Sequence, residues 1–414
     1  MLAFSASTEK FRRAASVLLT ALGLAAILWA TLRNGDPAAF QGVPVTCLVC
    51  GRNGGIDVWR NVVLFMPLGV GLGLLGVRPS RAAALGLALS FGVETMQFTV
   101  LVGRTATVSD LVTNTAGTAL GVLLVRRWRD WALPGAARAR WLAAAAAALW
   151  LAALALTGAG LRWSDATPPF RVNQLPPTDG SLRAFEGVVH EATMDGGRVT
   201  PGWRDAPVAP RAAADTLRLG ARVTPSYEPG MLRPLVWLHT PSWAEVLIFG
   251  QRGRTLVVRL RTASADARFS SPSFILHDAI PGDRSPVALS AAVTHDAVRL
   301  RSASAEGVRE VRIGKELSLG WMLLVPPNGV AHRWPAALVS AAWLAALLMP
   351  LAYWGARARA RARARSLSTL ALVVAFAAGS AVLATHLFDL APLTAGGWAG
   401  MAAGVAAGWG VGVL

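Results

Sequence analysis

Charge is scarce in this sequence: of 414 residues only 15% are Asp, Glu, Lys or Arg, against 54% hydrophobic. That balance excludes an ordinary soluble globular protein, and the apolar residues gather in long blocks. Cysteine is scarcer still. With only Cys47 and Cys50 present, a four-sulfur zinc site cannot be built from one copy of the chain. No Gly-rich phosphate loop, H-E-x-x-H or G-x-S-x-G occurs, so no local motif announces an enzyme, a metal or a cofactor, and neither of the last two is expected. Acidic residues number 23 against 40 Lys and Arg, a formal net charge of +17. Such a surplus attracts phosphate, so the placement of the arginines has to decide whether nucleic acid is a partner.

What is abundant is uninterrupted apolar sequence. A helix needs ~20 mostly apolar residues to cross a hydrocarbon layer of ~30 Å. Eight blocks reach that length, at about 14–32, 60–77, 82–101, 107–125, 141–160, 335–354, 367–387 and 393–414. The expectation is a polytopic α-helical membrane protein of about eight transmembrane helices. The first block follows Lys10, Arg12 and Arg13 as the core of a signal peptide would. Its apolar stretch is long, and no small-residue cleavage site follows, so a retained span is expected.

Arginines occupy alternate short loops: Arg78 and Arg81, then Arg126, Arg127, Arg129, Arg138 and Arg140, then Arg357, Arg359, Arg361, Arg363 and Arg365. The intervening loops hold scattered ones such as Arg52 and Arg104. Positive loops stay cytoplasmic, so the pattern predicts a bacterial inner-membrane protein with both termini in the cytoplasm and residues 161–334 outside. The surplus charge then anchors topology, and nucleic acid is not an expected partner. The Arg-Ala run 357–365 has, in addition, the chemistry to meet anionic headgroups.

Three parts follow: a five-helix membrane domain (1–160), an inserted extracytoplasmic domain (161–334) and three C-terminal helices (335–414). In the insert, apolar and polar residues alternate, as in Leu217-Arg218-Leu219, and turn residues punctuate the runs. Strands are expected at 185–190, 235–239, 245–249, 257–261, 273–277, 297–301, 308–313 and 317–325, forming an all-β antiparallel sandwich. The order of these segments resembles the laminin-G or concanavalin-A-like sandwiches. Trp203, Trp237, Trp243 and Trp321 would serve as core or as stacking surfaces for a glycan. In the last block Gly396, Gly400, Gly404, Gly408 and Gly412 recur every four residues and line one helix face. Small residues admit a close partner, either another span or a second copy in a homo-oligomer.

Polar residues interrupt blocks two to four. Asn61 precedes Phe65, Pro67 and Gly69; Glu94 and Gln97 lie in the third block, Arg104 in the following loop, and Asp110, Asn114, Gly117 and Gly121 in the fourth. At ~1.5 Å per residue, Glu94 and Asn114 both lie ~10 Å below the outer surface, with Asn61 and Asp110 nearer to it. Glu94 and Gln97 are three apart and Asp110 and Asn114 four apart, so each pair shares a helix face. An intramembrane carboxylate is costly unless paired or hydrated, which marks Glu94 as a functional candidate. Arg104 is the nearest expected counter-charge. The bland alternatives are helix capping for Asp110 and interhelical hydrogen bonding for Asn61, Gln97 and Asn114. Pro67 is expected to kink its span, and Gly69, Gly71, Gly73, Gly76, Gly117 and Gly121 to permit close packing.

An Asn before Phe-x-Pro-x-Gly, then Glu-x-x-Gln, a loop Arg and Asp-x-x-x-Asn-x-x-Gly is the pattern of the VanZ-like family, which residues 61–121 resemble. The resemblance implies a VanZ-like membrane domain and a tie to low-level resistance to the glycopeptide teicoplanin; it names no reaction. A disulfide between Cys47 and Cys50 is expected in the outer loop before Asn61. His386 and Asp389, near the end of the seventh block, either join the polar layer or complement a helix terminus.

The leading functional expectation is an outward-facing intramembrane site that binds a membrane lipid or a lipid-linked or amphiphilic cell-envelope molecule, with a glycan or protein held by the sandwich. Glu94 and Asp110 would accept hydrogen bonds, Arg104 would pair an anionic headgroup, and Asn61, Gln97 and Asn114 would orient it. The alternative is a membrane enzyme on the same substrate class with Glu94 as general acid or base. A transporter would need polar residues down to the cytoplasmic side, where these blocks are Leu, Val, Ala and Gly.

Overall fold

The computed structural model describes residues 6–34, 44–51, 54–164, 170–173, 182–199, 204–206, 216–225, 230–241, 245–325, 335–358 and 363–413. Among them eight helices reach 19 residues or more, one at each apolar block: α1 (Ala6–Thr31), α2 (Gly54–Leu74), α3 (Pro79–Thr99), α4 (Val108–Arg126) and, after the short α5 (Trp128–Ala132), α6 (Ala136–Leu161). Beyond the one-turn α7 (Ala263–Asp266) come α8 (Ala336–Arg357), α9 (Arg363–Leu387) and α10 (Ala395–Val413). Six of the eight are long and apolar enough to cross a membrane. The other two are diluted, α3 by Ser90, Glu94 and Gln97, and α10 by seven glycines. The chain is a multi-pass helical membrane protein with an all-β insert.

It divides into two compact units, Met1–Pro134 and Gly135–Leu414. In the first, α2 and α4 lie backbone to backbone. A Cβ on Gly69 would fall under 3.0 Å from Thr118, one on Gly117 from Val62, and one on Gly121 from Met66 and Val70, main-chain atoms in each case. Helix α1 follows α2 in the same way, Gly23 on Leu68 and Gly71 on Thr20, so the first apolar block is built into the bundle. Helix α2 runs on through Pro67, and Gly76 serves the turn after it, at φ 82°. The polarity is inside out: Ser90, Glu94, Gln97 and Asn114 are buried, while Phe91 and Phe98 are 63% and 73% exposed. Lipid is the solvent that favours this arrangement.

In the second unit the insert is two six-stranded antiparallel sheets. One runs, in spatial order, β4 (Arg204–Ala206), β1 (Phe170–Asn173), β6 (Arg233–His239), β7 (Glu245–Arg252), β8 (Thr255–Leu260) and β9 (Ser273–Leu276). The other runs β12 (Gly307–Gly314), β11 (Ala297–Ser304), β10 (Val287–Val293), β5 (Leu217–Thr224), β2 (Val188–Met194) and β3 (Gly197–Arg198). Alternation sets the faces: Leu217, Leu219, Ala221 and Val223 of β5 enter the core between the sheets, while Arg218 and Arg222 stay out. Strands β6 to β8 are covered on both faces, since Trp237, Ile248 and Val257 meet Leu182 and Leu232 in a separate cluster.

Two strand expectations need correction. The strand placed at 185–190 begins at Val188, where its pairing with Thr224 of β5 starts. The strand placed at 317–325 is a 3-10 helix, Leu317–Leu324. Its first seven residues are all buried, and a short apolar run buried all round carries no period to separate strand from helix. Trp321 Nε1 within it donates to Ser340 Oγ of α8 at 3.0 Å. Trp237 and Trp321 are 2% and 4% exposed and belong to the core; Trp203 and Trp243 lie outside the described residues.

Helix α6, grouped from sequence with the first four, belongs to the second unit and is tied to α9 by Trp150 Nε1 donating to Ser380 Oγ at 2.8 Å. Gly400, Gly404 and Gly408 press on the main chain of Ala341, Ala345 and Met349 in α8, and Gly412 on Tyr353, so this face is covered within the chain. Gly396 stands outside the seam, with Thr394 Oγ1 as its neighbour at 3.8 Å. Between the sandwich and α10, Glu316 Oε2 accepts the Thr394 N–H at 2.7 Å.

Lys315, beside it, is 1% exposed; its Nζ donates to the Thr294 carbonyl at 2.9 Å and lies 5.0 Å from the Trp163 ring centre. Burial pulls its pKa down from 10.5 to about 8, against the opposing pull of Asp296. In the window between those values the folded lysine is neutral and the unfolded one still charged, so the unfolded state binds more protons and stability rises with pH. Melting curves across that window should show a gain of at most roughly 3 kcal/mol in the natural chain. Lys315→Met should flatten it; the same slope in both proteins would contradict the assignment.

Candidate functional site

Helices α2, α3 and α4 bring the expected polar residues into one cavity of about 380 Å³. Asn61, Glu94, Gln97, Arg104, Asp110 and Asn114 all line it, together with Cys50, Asp57, Arg60 and Thr107. The convergence has a local cause. Ala82, Gly86, Ser90, Val93, Glu94 and Gln97 are the buried residues of α3 and fall on one face. That face is closed on α4 where Gly86 meets the Thr118 side chain.

Thr107 caps α4 in extended conformation, its side chain accepting from the Asp110 N–H at 3.3 Å. Its own buried N–H donates to Glu94 Oε2 at 2.9 Å, so the intramembrane carboxylate sits at the positive end of α4. Asn61 Nδ2 donates to Asp110 Oδ1 and links α2 to α4. Asn114 Nδ2 donates to Ser90 Oγ at 2.9 Å and links α4 to α3. Gln97 Nε2 donates to the Thr31 carbonyl at 3.1 Å, at the end of α1. These amides thus join helices and at the same time line the cavity.

The charge of Arg104 acts on Asp110, but its hydrogen bonds go elsewhere. Its guanidinium donates to the carbonyls of Arg33 at 2.9 Å and Ala30 at 3.3 Å, and not to Glu94 or Asp110. The last carbonyls of a helix have no intrahelical donor, and an arginine in reach satisfies them. Cys47 and Cys50 are free thiols rather than the expected disulfide. Burial first, then the hydrogen bond with Cys47 and the Asp110 charge, push the Cys50 thiol up to about 12, which keeps it protonated at neutral pH. Asp389 pairs with His295 of the sandwich at 3.5 Å, and His386 lies in the last turn of α9.

Sequence reasoning missed Asp57, Ser90 and Thr107. Asp57 precedes the apolar block that starts at about residue 60, yet α2 begins at Gly54, and Asp57 and Arg60 pair on its first turns at 3.5 Å. Thr107 and Asp110 stand at capping-box spacing, and Ser90 one turn before Glu94, so both signals were legible. Among the described residues no three His, Cys, Asp or Glu side chains are placed to share a metal ion. A second cavity, of about 350 Å³ between α6, α7 and α8, is walled by Leu149, Leu156, Phe269, Leu323, Trp343 and Leu347 and holds no titratable group.

Comparison with known families matches residues 7–129, which carry the whole site, to the VanZ/LLP1 family model. The N-terminal domain is VanZ-like. No curated protein and no solved structure matches the chain.

Proposed function

We propose that the VanZ-like domain binds the polar head of an amphiphilic or lipid-linked cell-envelope molecule in the cavity between α2, α3 and α4. The observation that carries this reading is the convergence of Asn61, Glu94, Gln97, Asp110 and Asn114 on one space inside helices whose outer faces are apolar. Ordinary helix packing does not leave an uncovered volume among buried polar groups, because each lost partner there costs about 1–3 kcal/mol. The arginine-rich loops orient the cavity toward the outer leaflet, where envelope precursors are exposed. Occupying such molecules would connect the domain to glycopeptide resistance of the teicoplanin type. The second reading, catalysis with Glu94 as general acid or base, draws on the same geometry: Oε2 is engaged by Thr107, and Oε1 is left for a substrate.

Glu94→Gln separates the two, since its amide oxygen still accepts the Thr107 N–H and the domain should melt as the natural chain does. Binding predicts that envelope lipid co-purified with the protein falls roughly 10-fold or more, the worth of a charge-assisted hydrogen bond. Catalysis predicts unchanged retention with turnover lost. If retention and glycopeptide susceptibility of expressing cells are both unchanged, Glu94 has neither role.

A further inference from the structure

Resting on the binding reading, we infer that the chemical group this cavity recognises is a primary ammonium, the protonated amine of an amphiphile. The argument is a tally of donors and acceptors. Each of the three side-chain amides in the cavity gives an N–H to the protein: Asn61 to Asp110, Gln97 to the Thr31 carbonyl, Asn114 to Ser90. Ser90 passes its own hydroxyl hydrogen to the Asp110 carbonyl at 3.4 Å, which obliges Asn114 to present its NH2 there. Asn114 Oδ1 is consequently left over. It is buried on a residue 3% exposed, and it has no hydrogen-bond partner. Arg104 gives its Nε and one Nη2 hydrogen to two carbonyls at the end of α1.

What remains is a set of acceptors: Asn114 Oδ1, the free oxygen of Glu94, and the Asp110 carboxylate. The charges agree. Asp57 is matched by Arg60, which leaves Glu94 and Asp110 against the single charge of Arg104. An anionic headgroup would enter a lining in which the carboxylates of Asp57, Glu94 and Asp110 outnumber Arg60 and Arg104, beside an orphan carbonyl oxygen. A metal ion lacks the clustered ligands it needs. An ammonium carries three donors, one positive charge and no acceptor, and complements all three groups.

The test uses the full-length protein in detergent and four single-chain probes of equal length: dodecylamine, dodecyltrimethylammonium, dodecanol and dodecanoate. Dodecylamine should bind at least ~10-fold more tightly than the trimethylated cation, which has the charge and no N–H, and more tightly still than the alcohol and the carboxylate. Asn114→Leu should erase the preference for amine over trimethylammonium. Two lipids then distinguish the source of the amine, phosphatidylethanolamine against an amino-sugar lipid, and preferential binding of either supports the inference. Equal affinity for the two cations, or preference for dodecanoate, would overturn it while leaving an amphiphile site in place. If no probe binds in a manner sensitive to Glu94→Gln or Asn114→Leu, the inference and the binding reading fail together. The probe series on the natural chain decides the matter even if a variant does not fold.

Discussion

Gly117→Leu is expected to destroy the polar cavity and to lower the stability of the N-terminal unit by roughly 3 kcal/mol. Gly117 lies one turn after Asn114, where α4 meets α2. A Cβ there would stand 2.9 Å from the Val62 Cα and closer still to the Val62 carbonyl oxygen. Both are backbone atoms, so no rotamer relieves the contact and the helices must part. Asn61 precedes Val62, and its hydrogen bond to Asp110 is the direct link from α2 to α4 at that level, so separation of the helices opens the cavity as it costs packing. Gly92 supplies the control: it lies on the exposed side of α3, and a Cβ there meets nothing within 4 Å. Thermal melts in detergent should place Gly117→Leu at least ~5 °C below the natural chain and Gly92→Leu beside it. Envelope lipid should be lost with Gly117→Leu alone. Indistinguishable behaviour of the two variants would mean that the helices are not in contact there.

Gly404→Leu should have an effect of the same size on the C-terminal helices. Its Cβ would lie 2.6 Å from the Ala345 Cα of α8, within a seam that Gly400 and Gly408 continue on either side. Helices surrounded by lipid gain little from burying leucine against leucine, since lipid tails are equally apolar. Close backbone approach and its dispersion contacts hold such a pair together. A leucine at 404 therefore removes the contact and offers nothing in return. Gly410, open on the same helix, is the neutral comparison. Protease resistance of α8 to α10 should fall sharply in Gly404→Leu and persist in Gly410→Leu; equal resistance would show that α10 is held by something other than this seam.

Much of this molecule is legible from its residues in order. Runs such as 141–160 specify helices because insertion depends on how many consecutive residues lipid will accept, a property of composition and length. Leu217-Arg218-Leu219 specifies a strand because a period of two puts leucine and arginine on opposite faces. The depth of Glu94 and Asn114 along their helices, with Asn61 and Asp110 nearer the surface, was enough to predict that three helices share a polar layer. Segment 317–325 was misread because an apolar run without a period leaves the choice between strand and helix to its neighbours, here Thr157, Ser340 and Trp343.

The finer chemistry belonged to the tertiary structure. A hydrogen-bonding group can be named from sequence, but its partner is whichever complementary atom packing brings within about 3 Å. Arg104 was the expected counter-charge of Glu94 or Asp110, and while its charge acts on Asp110, the fold gave its hydrogen bonds to two carbonyls at the end of α1. Composition and periodicity thus determined a helical membrane protein with a β insert and a polar layer in its first helices. Only the packing of α1 to α4 decided which polar atoms are spent on the fold and which, like Asn114 Oδ1, are left unpaired, because pairing depends on distances between residues far apart in the chain.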